Sequence, residues 1–291
     1  MPIFRLSFLT ATDLPQVRET FLEAFADYVV PVQLSQEQLR DKVEREGILP
    51  SFCVGAFVGE ELVGFILTAL GEWLGKPTAY NAGTGVVPRY RGHGLTQQMY
   101  AFLLPKLRES GVEQCLLEVI EGNMPALKTY GKIGFNFTRA LSCFRSTKEE
   151  LLLGQWQPEG VTISEKAQFD FEAYSCFWDV KPTWQNNIDS LKRSKGQTKT
   201  LVACNAQQEV VGYISFFRKN GAVAQLAVGR QWRRQGIGTA LLREAVRQVE
   251  GPAVMFLNIE DTATSMVPFL QGRHMKLLLK QHEMRMPIVQ V

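Results

Sequence analysis

Histidine is scarce in this chain: three residues in 291, at His93, His274 and His282, far apart in sequence. The five cysteines, Cys53, Cys115, Cys143, Cys176 and Cys204, are odd in number and follow no metal-ligand spacing. Metal centres draw on such residues in short paired spacings, so no metal is expected. Missing too is any apolar run of the roughly 18–20 residues that a bilayer span needs. The opening stretch MPIFRLSFLTATDLPQ lacks the basic leader and following apolar segment of a secretory signal. Neither sign of charge dominates, with 32 Lys and Arg against 29 Asp and Glu, a formal net charge of +3. That balance gives little of the basic face by which nucleic-acid binders release counterions. The cluster KRSKGQTKT over residues 192–200 reads as a solvated helix end and loop. Cysteines in settings such as EQCLLEV and LVACN read as small core residues of a protein in a reducing compartment. These absences together point to a cytoplasmic protein with no metal, membrane or nucleic-acid partner.

What is present is a repeat. At 291 residues two domains are expected, and the chain contains one pattern twice. ELVGFILT (residues 61–68) matches EVVGYISF (209–216), YRGHGLT matches WRRQGIGT, and CLLEVIEG matches MFLNIEDT, in the same order each time. Each copy reads as a first strand (FRLSFL; GVTISE), helical stretches and two or three antiparallel strands. A glycine turn then opens an amphipathic helix, followed by a strand, a short helix and a last strand. Leu95, Met99, Phe102, Leu103 and Leu107 share one face of the first such helix, and Ile237, Leu241, Leu242, Ala245 and Val249 share one face of the second. Pro105 is expected to kink the first. The fold class is therefore α+β with a mixed, mostly antiparallel sheet flanked by helices. A mixed polar and apolar linker over residues 146–160 places the boundary near Gln157, giving domains 1–146 and 158–291.

A helix N-terminus leaves backbone N–H groups without intrahelical partners and carries a partial positive charge. Glycines there let the backbone approach an anion closely, and an arginine at the entrance adds a cation. A lone Gly-x-Gly is better read as a plain tight turn. Its recurrence after a strand in corresponding positions, with arginine two or three residues ahead, favours an anion site. It is neither a dinucleotide fingerprint, since GHGLTQ and GIGTAL lack the third glycine, nor a P-loop, since no Gly-Lys-Ser/Thr follows.

V-x-P-x-Y-R-G-x-G-L, with Val86, Pro88, Tyr90, Arg91, Gly92, Gly94 and Leu95, precedes L-E-V-x-x-x-N-x-x-A-L-x-x-Y-x-K-x-G-F. The second block supplies Leu117, Glu118, Val119, Asn123, Ala126, Leu127, Tyr130, Lys132, Gly134 and Phe135. The two blocks resemble the GNAT acyltransferases, which use acetyl-CoA or another acyl-CoA, over most of the first half and more weakly over the second. The resemblance implies that Arg91, Gly92, His93, Gly94, Leu95 and Thr96 hold the CoA pyrophosphate through backbone N–H groups. Val86 and Val87 would bind the pantetheine arm and polarise the thioester carbonyl through their backbones. Arg233, Arg234, Gln235, Gly236, Ile237, Gly238 and Thr239 are the corresponding set in the second copy. Asn123 caps a helix, and the resemblance adds a cofactor contact.

Acyl transfer to an amine moves two protons, one from the amine and one to the thiolate. The resemblance implies Glu118 as general base and Tyr130 as general acid, twelve residues apart (130 − 118) as in the family. The bland readings are a glutamate paired with a structural cation and a tyrosine filling core. In the second copy Asn258, Ala263 and Leu270 stand opposite Glu118, Asn123 and Tyr130, and Pro268 is expected to distort the short helix. The first copy is therefore expected to be catalytic. The resemblance implies that the acceptor, a small-molecule amine or a peptide N-terminus, is lined by FADYVVPVQLS, with Tyr28 foremost. Trp73 and Tyr80, in the stretch GEWLGKPTAYNAG, are read as substrate contacts or, more commonly for such residues, as core or hairpin packing. A covalent acyl-cysteine is disfavoured, since no cysteine has an activating neighbour. Three alternatives stay open: a non-catalytic acyl-CoA binding or sensing module, activity in the second copy, and a relative using a larger donor.

Overall fold

The computed structural model describes residues 3–27 and 33–289. Tyr28, named above for the acceptor side, lies outside the described residues. Strands and helices follow in the order β1 (Arg5–Phe8), α1 (Leu14–Ala24), α2 (Gln36–Glu46), β2 (Val54–Val58), β3 (Glu61–Trp73), β4 (Lys76–Val86), α3 (Leu95–Glu109), β5 (Gln114–Ile120), α4 (Met124–Ile133) and β6 (Asn136–Thr147). The second series is β7 (Thr162–Glu165), α5 (Ile188–Arg193), β8 (Thr198–Cys204), β9 (Val210–Phe217), β10 (Ala222–Val228), α6 (Ile237–Gln248), β11 (Ala253–Glu260), α7 (Met266–Gly272) and β12 (Lys276–Pro287).

Two compact units result, residues 1–138 with 282–291, and residues 139–281. This partition differs from a single boundary near Gln157. Strand β6 starts in the first unit and ends in the second, and β12 does the reverse. In the first unit β1, β2, β3 and β4 pair antiparallel in that order, β5 joins β4 in parallel, and the end of β12 flanks β5. Met284, Met286 and Ile288 from that last segment are buried in the same core as Val54, Ile66, Met99 and Leu103, and Ile288 N–H donates to Glu113 O at 2.7 Å. In the second unit β7, β8, β9 and β10 pair antiparallel, β11 joins β10 in parallel, and the end of β6 pairs antiparallel with β11 from Thr147↔Ala253 to Leu141↔Glu260.

The parallel pairs matter for function because they are short. β4 meets β5 over the rungs Thr78↔Gln114, Ala79↔Cys115 and Tyr80↔Leu116. β10 meets β11 at Ala222↔Met255 and Val223↔Phe256. Just past each contact the register to the antiparallel neighbour shifts, so that Ala82 in β4 and Ala224 in β10 are extra residues. Such bulges bend a strand. Each sheet therefore opens a gap between its parallel strands on the side of the glycine turn.

Helix α3 buries Leu95, Met99, Tyr100, Leu103 and Leu107, the expected stripe except that Phe102 is partly exposed and Tyr100 takes its place. Pro105 lies inside α3, which runs on to Glu109. Helix α6 buries Ile237, Leu241, Leu242 and Ala245 as read from the sequence. The expected distortion of α7 by Pro268 does not occur. Pro268 is the third helical residue, in the first turn, where a proline is tolerated, and Val267 and Phe269 on either side of it keep their hydrogen bonds to Ala263 O and Ser265 O. Among the described residues no helix is long and apolar enough to cross a membrane.

Candidate functional site

Strand β4 ends on the rung Gly64↔Val86. Val87 N–H donates to Val63 O at 3.0 Å, so this rung is of the type whose own N–H and C=O point away from the antiparallel partner. Val86 therefore turns its backbone toward the gap, whereas the N–H of Val87 is engaged by β3. A single 3-10 turn, Pro88–Tyr90, follows. Arg91 is extended, and Gly92 and Gly94 take φ of 82° and 69°. Gly94 caps α3 in the left-handed conformation, which costs other residues roughly 1–2 kcal/mol.

The second unit repeats this construction. Gly229 N–H donates to Val211 O at 2.9 Å, Val228 pairs with Gly212, and a 3-10 turn covers Arg230–Trp232. Arg234 and Gly236 then take φ of 64° and 77° ahead of α6.

The two turn arginines are placed differently from the sequence reading. Arg91 donates from Nε to Val86 O (3.2 Å), from Nη2 to Ala24 O (2.9 Å), and from both Nη atoms to Asp27 (2.6 and 2.8 Å). Arg233 donates from Nε to Val228 O (2.9 Å), from Nη2 to Phe177 O (2.8 Å) and from Nη1 to Asp179 (2.9 Å). Each guanidinium ties the turn to the segment near Ala24 or Phe177 instead of adding a cation at the turn's mouth. The Arg91 hydrogen bond holds the Asp27 carboxyl below its ordinary range. Burial raises that of Asp179, but hydrogen bonds from Ser265 and Arg233 outweigh it and hold it below.

His93 sets Nδ1 3.2 Å from Tyr90 O and 3.1 Å from Arg91 O, with its ring edge-on to Phe4. Leu95 and Ile237 are core residues of their helices, and Thr96 is half-buried. Asn123 caps α4, its side chain accepting from Ala126 N at 3.2 Å. Gln235 donates to Gln231 O. Thr239 accepts from Arg273 Nη1 at 3.2 Å, which sets a guanidinium beside the first turn of α6.

Glu118 lies on β5 two residues past the last rung with β4. The Tyr80 hydroxyl, from that same rung, donates to Glu118 Oε2 at 2.5 Å. Trp73 and Tyr80 are both buried, so neither is a surface contact of the hairpin. The Tyr130 ring is 9 % exposed and packs edge-on against Tyr100 and Phe135. Asn81 Nδ2 donates to the Tyr100 hydroxyl at 2.8 Å, and burial pushes that phenol well above its ordinary pKa, with Tyr130 adding to the effect. Glu118 is thus brought together with Tyr80, and Tyr130 with Tyr100. Burial also pushes the Cys53 and Cys115 thiols up to about 12, which suits inert core residues and not acyl carriers.

In the second unit Asn258 is buried at an irregular point of β11, with φ 57°. It accepts from Gln281 Nε2 at 3.1 Å and donates its N–H to Cys143 Sγ. Leu270 is fully buried. A cavity of about 620 Å³ opens here, running from Gly236, Gly238 and Arg273 along Gln225 to Asn258 and Glu260. Glu260 pairs with Arg139 at 2.9 Å. The linker residue Trp156 lies over the turn, so that a β-carbon on Gly236 would meet its ring at 2.1 Å. Arg243 anchors that stretch by donating to Gly154 O and Trp156 O.

Sequence reading missed Asp27, Asp179, Arg273 and Trp156, and it left Tyr80 without its role beside Glu118. All depend on which strands and loops meet. For Tyr80 the available signal was the β4–β5 register.

Comparison with known proteins follows the two copies. The family model described as Acetyltransferase (GNAT) family matches residues 14–135, and that described as Acetyltransferase (GNAT) domain matches residues 166–271. An N-alpha-acetyltransferase of Arabidopsis thaliana is 33 % identical over 86 residues, 30 % of this chain and 45 % of that protein. A mycothiol acetyltransferase of Streptomyces scabiei is 32 % identical over 117 residues, 39 % of this chain and 36 % of that protein. The chain thus spans less than half the length of these curated relatives. Among solved structures, a tandem GNAT protein from the clavulanic acid biosynthesis pathway superposes with TM-score 0.74 at 15 % identity, covering 99 % of both chains. A GCN5-related N-acetyltransferase from Sphaerobacter thermophilus gives 0.75 at 18 %, covering 98 % of this chain and 96 % of that one. At such identities the likeness is one of fold.

Proposed function

The chain belongs to the GNAT acetyltransferase family, in two tandem copies, and from that premise we propose that it is an acyl-CoA-dependent N-acyltransferase whose first copy carries out the transfer. The donor is acetyl-CoA and the acceptor a primary amine, on a small molecule or a peptide N-terminus; likeness to the Arabidopsis N-alpha-acetyltransferase favours the latter. Glu118 is the base and Tyr130 the acid. The observation that carries this reading is a carboxylate held at the fork of β4 and β5, in the unit whose left-handed glycine turn opens α3.

The residues present fit an acyl-CoA. The exposed turn from Arg91 to Gly94 offers backbone N–H groups to a diphosphate, and Val86 offers an N–H in the gap to a thioester oxygen. The coenzyme supplies the activated acyl carbon. The amine nitrogen bonds that carbon and gives its proton to Glu118, directly or through water. The C–S bond breaks, and the sulfur takes a proton from Tyr130.

The cavity in the second unit favours a further role for that copy, binding acyl-CoA without turning it over. Turn, cavity and the Arg273 cation are there, while a base and an acid in the equivalent positions are replaced by Asn258 and Leu270.

Turnover of acetyl-CoA by the full chain against a panel of peptide N-termini and small primary amines tests both readings. Glu118→Gln and Tyr130→Phe should each lower kcat by about 10²–10⁴-fold. Normal turnover in both, with loss in Gly238→Glu, would move the chemistry to the second copy. Calorimetry with acetyl-CoA should give two sites, one lost in Thr96→Glu and the other in Gly238→Glu.

A further inference from the structure

Tyr80 takes no part in the reaction just described, yet its hydroxyl is bonded to the residue on which that reaction depends. Its backbone is held on the last parallel rung, Tyr80↔Leu116. Glu118 is two residues beyond Leu116, so the two side chains share a face of the sheet, and the phenol spans the fork where the strands part. The ring is 1 % exposed. It therefore has little freedom to swing away and does not itself reach substrate.

We infer that Tyr80 is a positioning residue for Glu118: it fixes the carboxylate at the fork and keeps it in the ionised form that accepts the amine proton. This rests on Glu118 being the base. The neighbours of Glu118 along β5 are apolar, Leu116, Leu117 and Val119 being buried, and an ionised carboxyl among them is costly unless hydrogen-bonded. An O–H···O contact of 2.5 Å is in the short range of charge-assisted bonds. A donor to a carboxylate favours its charged form. The repeat bears on the pairing as well. At the offset of 142 set by Gly94 and Gly236, Tyr80 falls opposite Ala222, and at the offset of 140 that aligns CLLEVIEG with MFLNIEDT, Glu118 falls opposite Asn258. The copy that lost the carboxylate also lacks the phenol. The other buried ionisable groups on β5 and on the elements packed against it are Cys115, Tyr100 on α3, Tyr130 on α4 and Glu283 on β12; His282 and Arg285 on β12 are half-buried, and Lys128 and Lys132 on α4 and Lys280 on β12 are exposed.

The test titrates Glu118 in the full chain, labelled with ¹³C at the glutamate side-chain carboxyls, its resonance identified by loss in Glu118→Gln. In Tyr80→Phe the midpoint should rise by about one pH unit or more, a tenfold change in proton affinity. With acetyl-CoA and the best amine of the panel, the acid limb of kcat/KM should move with it while KM for acetyl-CoA stays. Replacing Tyr80 by 3-fluorotyrosine, which strengthens the donor and keeps the ring, should lower the midpoint. A midpoint unmoved by both changes, in protein of native circular dichroism, overturns the inference. Should Glu118→Gln retain full turnover, the base assignment fails, and the titration still judges Tyr80.

Discussion

Arg91 and Arg233 make the same set of contacts in the two copies. Each binds the carbonyl at the end of its strand, a carbonyl on the segment near Ala24 or Phe177, and one aspartate. Such repetition marks a structural clasp, one that fixes each turn against the segment near Ala24 or Phe177. Its acid behaviour follows from the lowered Asp27 carboxyl. A carboxyl held below its unfolded value stabilises the fold fully above the ordinary Asp range of about 4, and that contribution is lost as pH falls through the lowered folded value. Asp27→Asn should therefore be less stable than wild type by a constant margin from neutral pH to about 5. The margin should shrink below about 4, and it should also shrink in high salt because the pair is exposed. Denaturant midpoints at pH 7 and pH 3 measure this, and a margin independent of pH would count against an ionic clasp. The arginines themselves were legible in the sequence, but their partners were not. Asp27 lies 64 residues before Arg91, and no local pattern links them.

At the scale of elements, the glycine turns were readable because they are local. A glycine just ahead of an amphipathic helix implies left-handed backbone, and Gly94 and Gly236 have it; the other left-handed position is Gly92 in the first turn but Arg234 in the second, where Gly238 lies inside α6. What covers the turn was not readable. Trp156 looked like linker, yet its indole sits where a β-carbon on Gly236 would project, held by the Arg243 contacts to Gly154 and Trp156. Gly236→Ala should then carry two penalties, roughly 1–2 kcal/mol for the left-handed φ and a further cost for displacing the ring. In a Trp156→Ala background only the first should remain. A double-mutant cycle on thermal unfolding separates them; equal cost in both backgrounds would mean that the ring moves aside freely. The cavity beneath that turn was hidden for a related reason. It depends on where β10 and β11 stop pairing, and both strands read simply as buried apolar runs.

For the molecule as a whole, the duplication was evident and the division of strands was not. β6 and β12 each read as the last strand of their own copy, and an alternating pattern does not say which sheet it completes. In the fold the end of β12 returns to the first unit, where Met284, Met286 and Ile288 are each 6 % exposed. Full burial of such side chains is worth about 1.5–3 kcal/mol apiece, together comparable with the whole stability of a domain. A chain ending at Gln281 should keep its second unit folded and lose the first, read by limited proteolysis and loss of the first acetyl-CoA site. Residues 1–146 alone should fail to fold. Residues 1–138 joined by a short glycine-rich turn to 282–289 should succeed, since Thr138 Oγ1 lies 3.0 Å from Glu283 O. A stable, protease-resistant 1–146 fragment would refute this.

Translation runs in one direction. The amino-terminal half leaves the ribosome well before the segment that closes its core, and must wait, incomplete, through the synthesis of everything up to Gln281. That unit's core would thus close only after the whole of the second unit has been made, although most of its residues are made first.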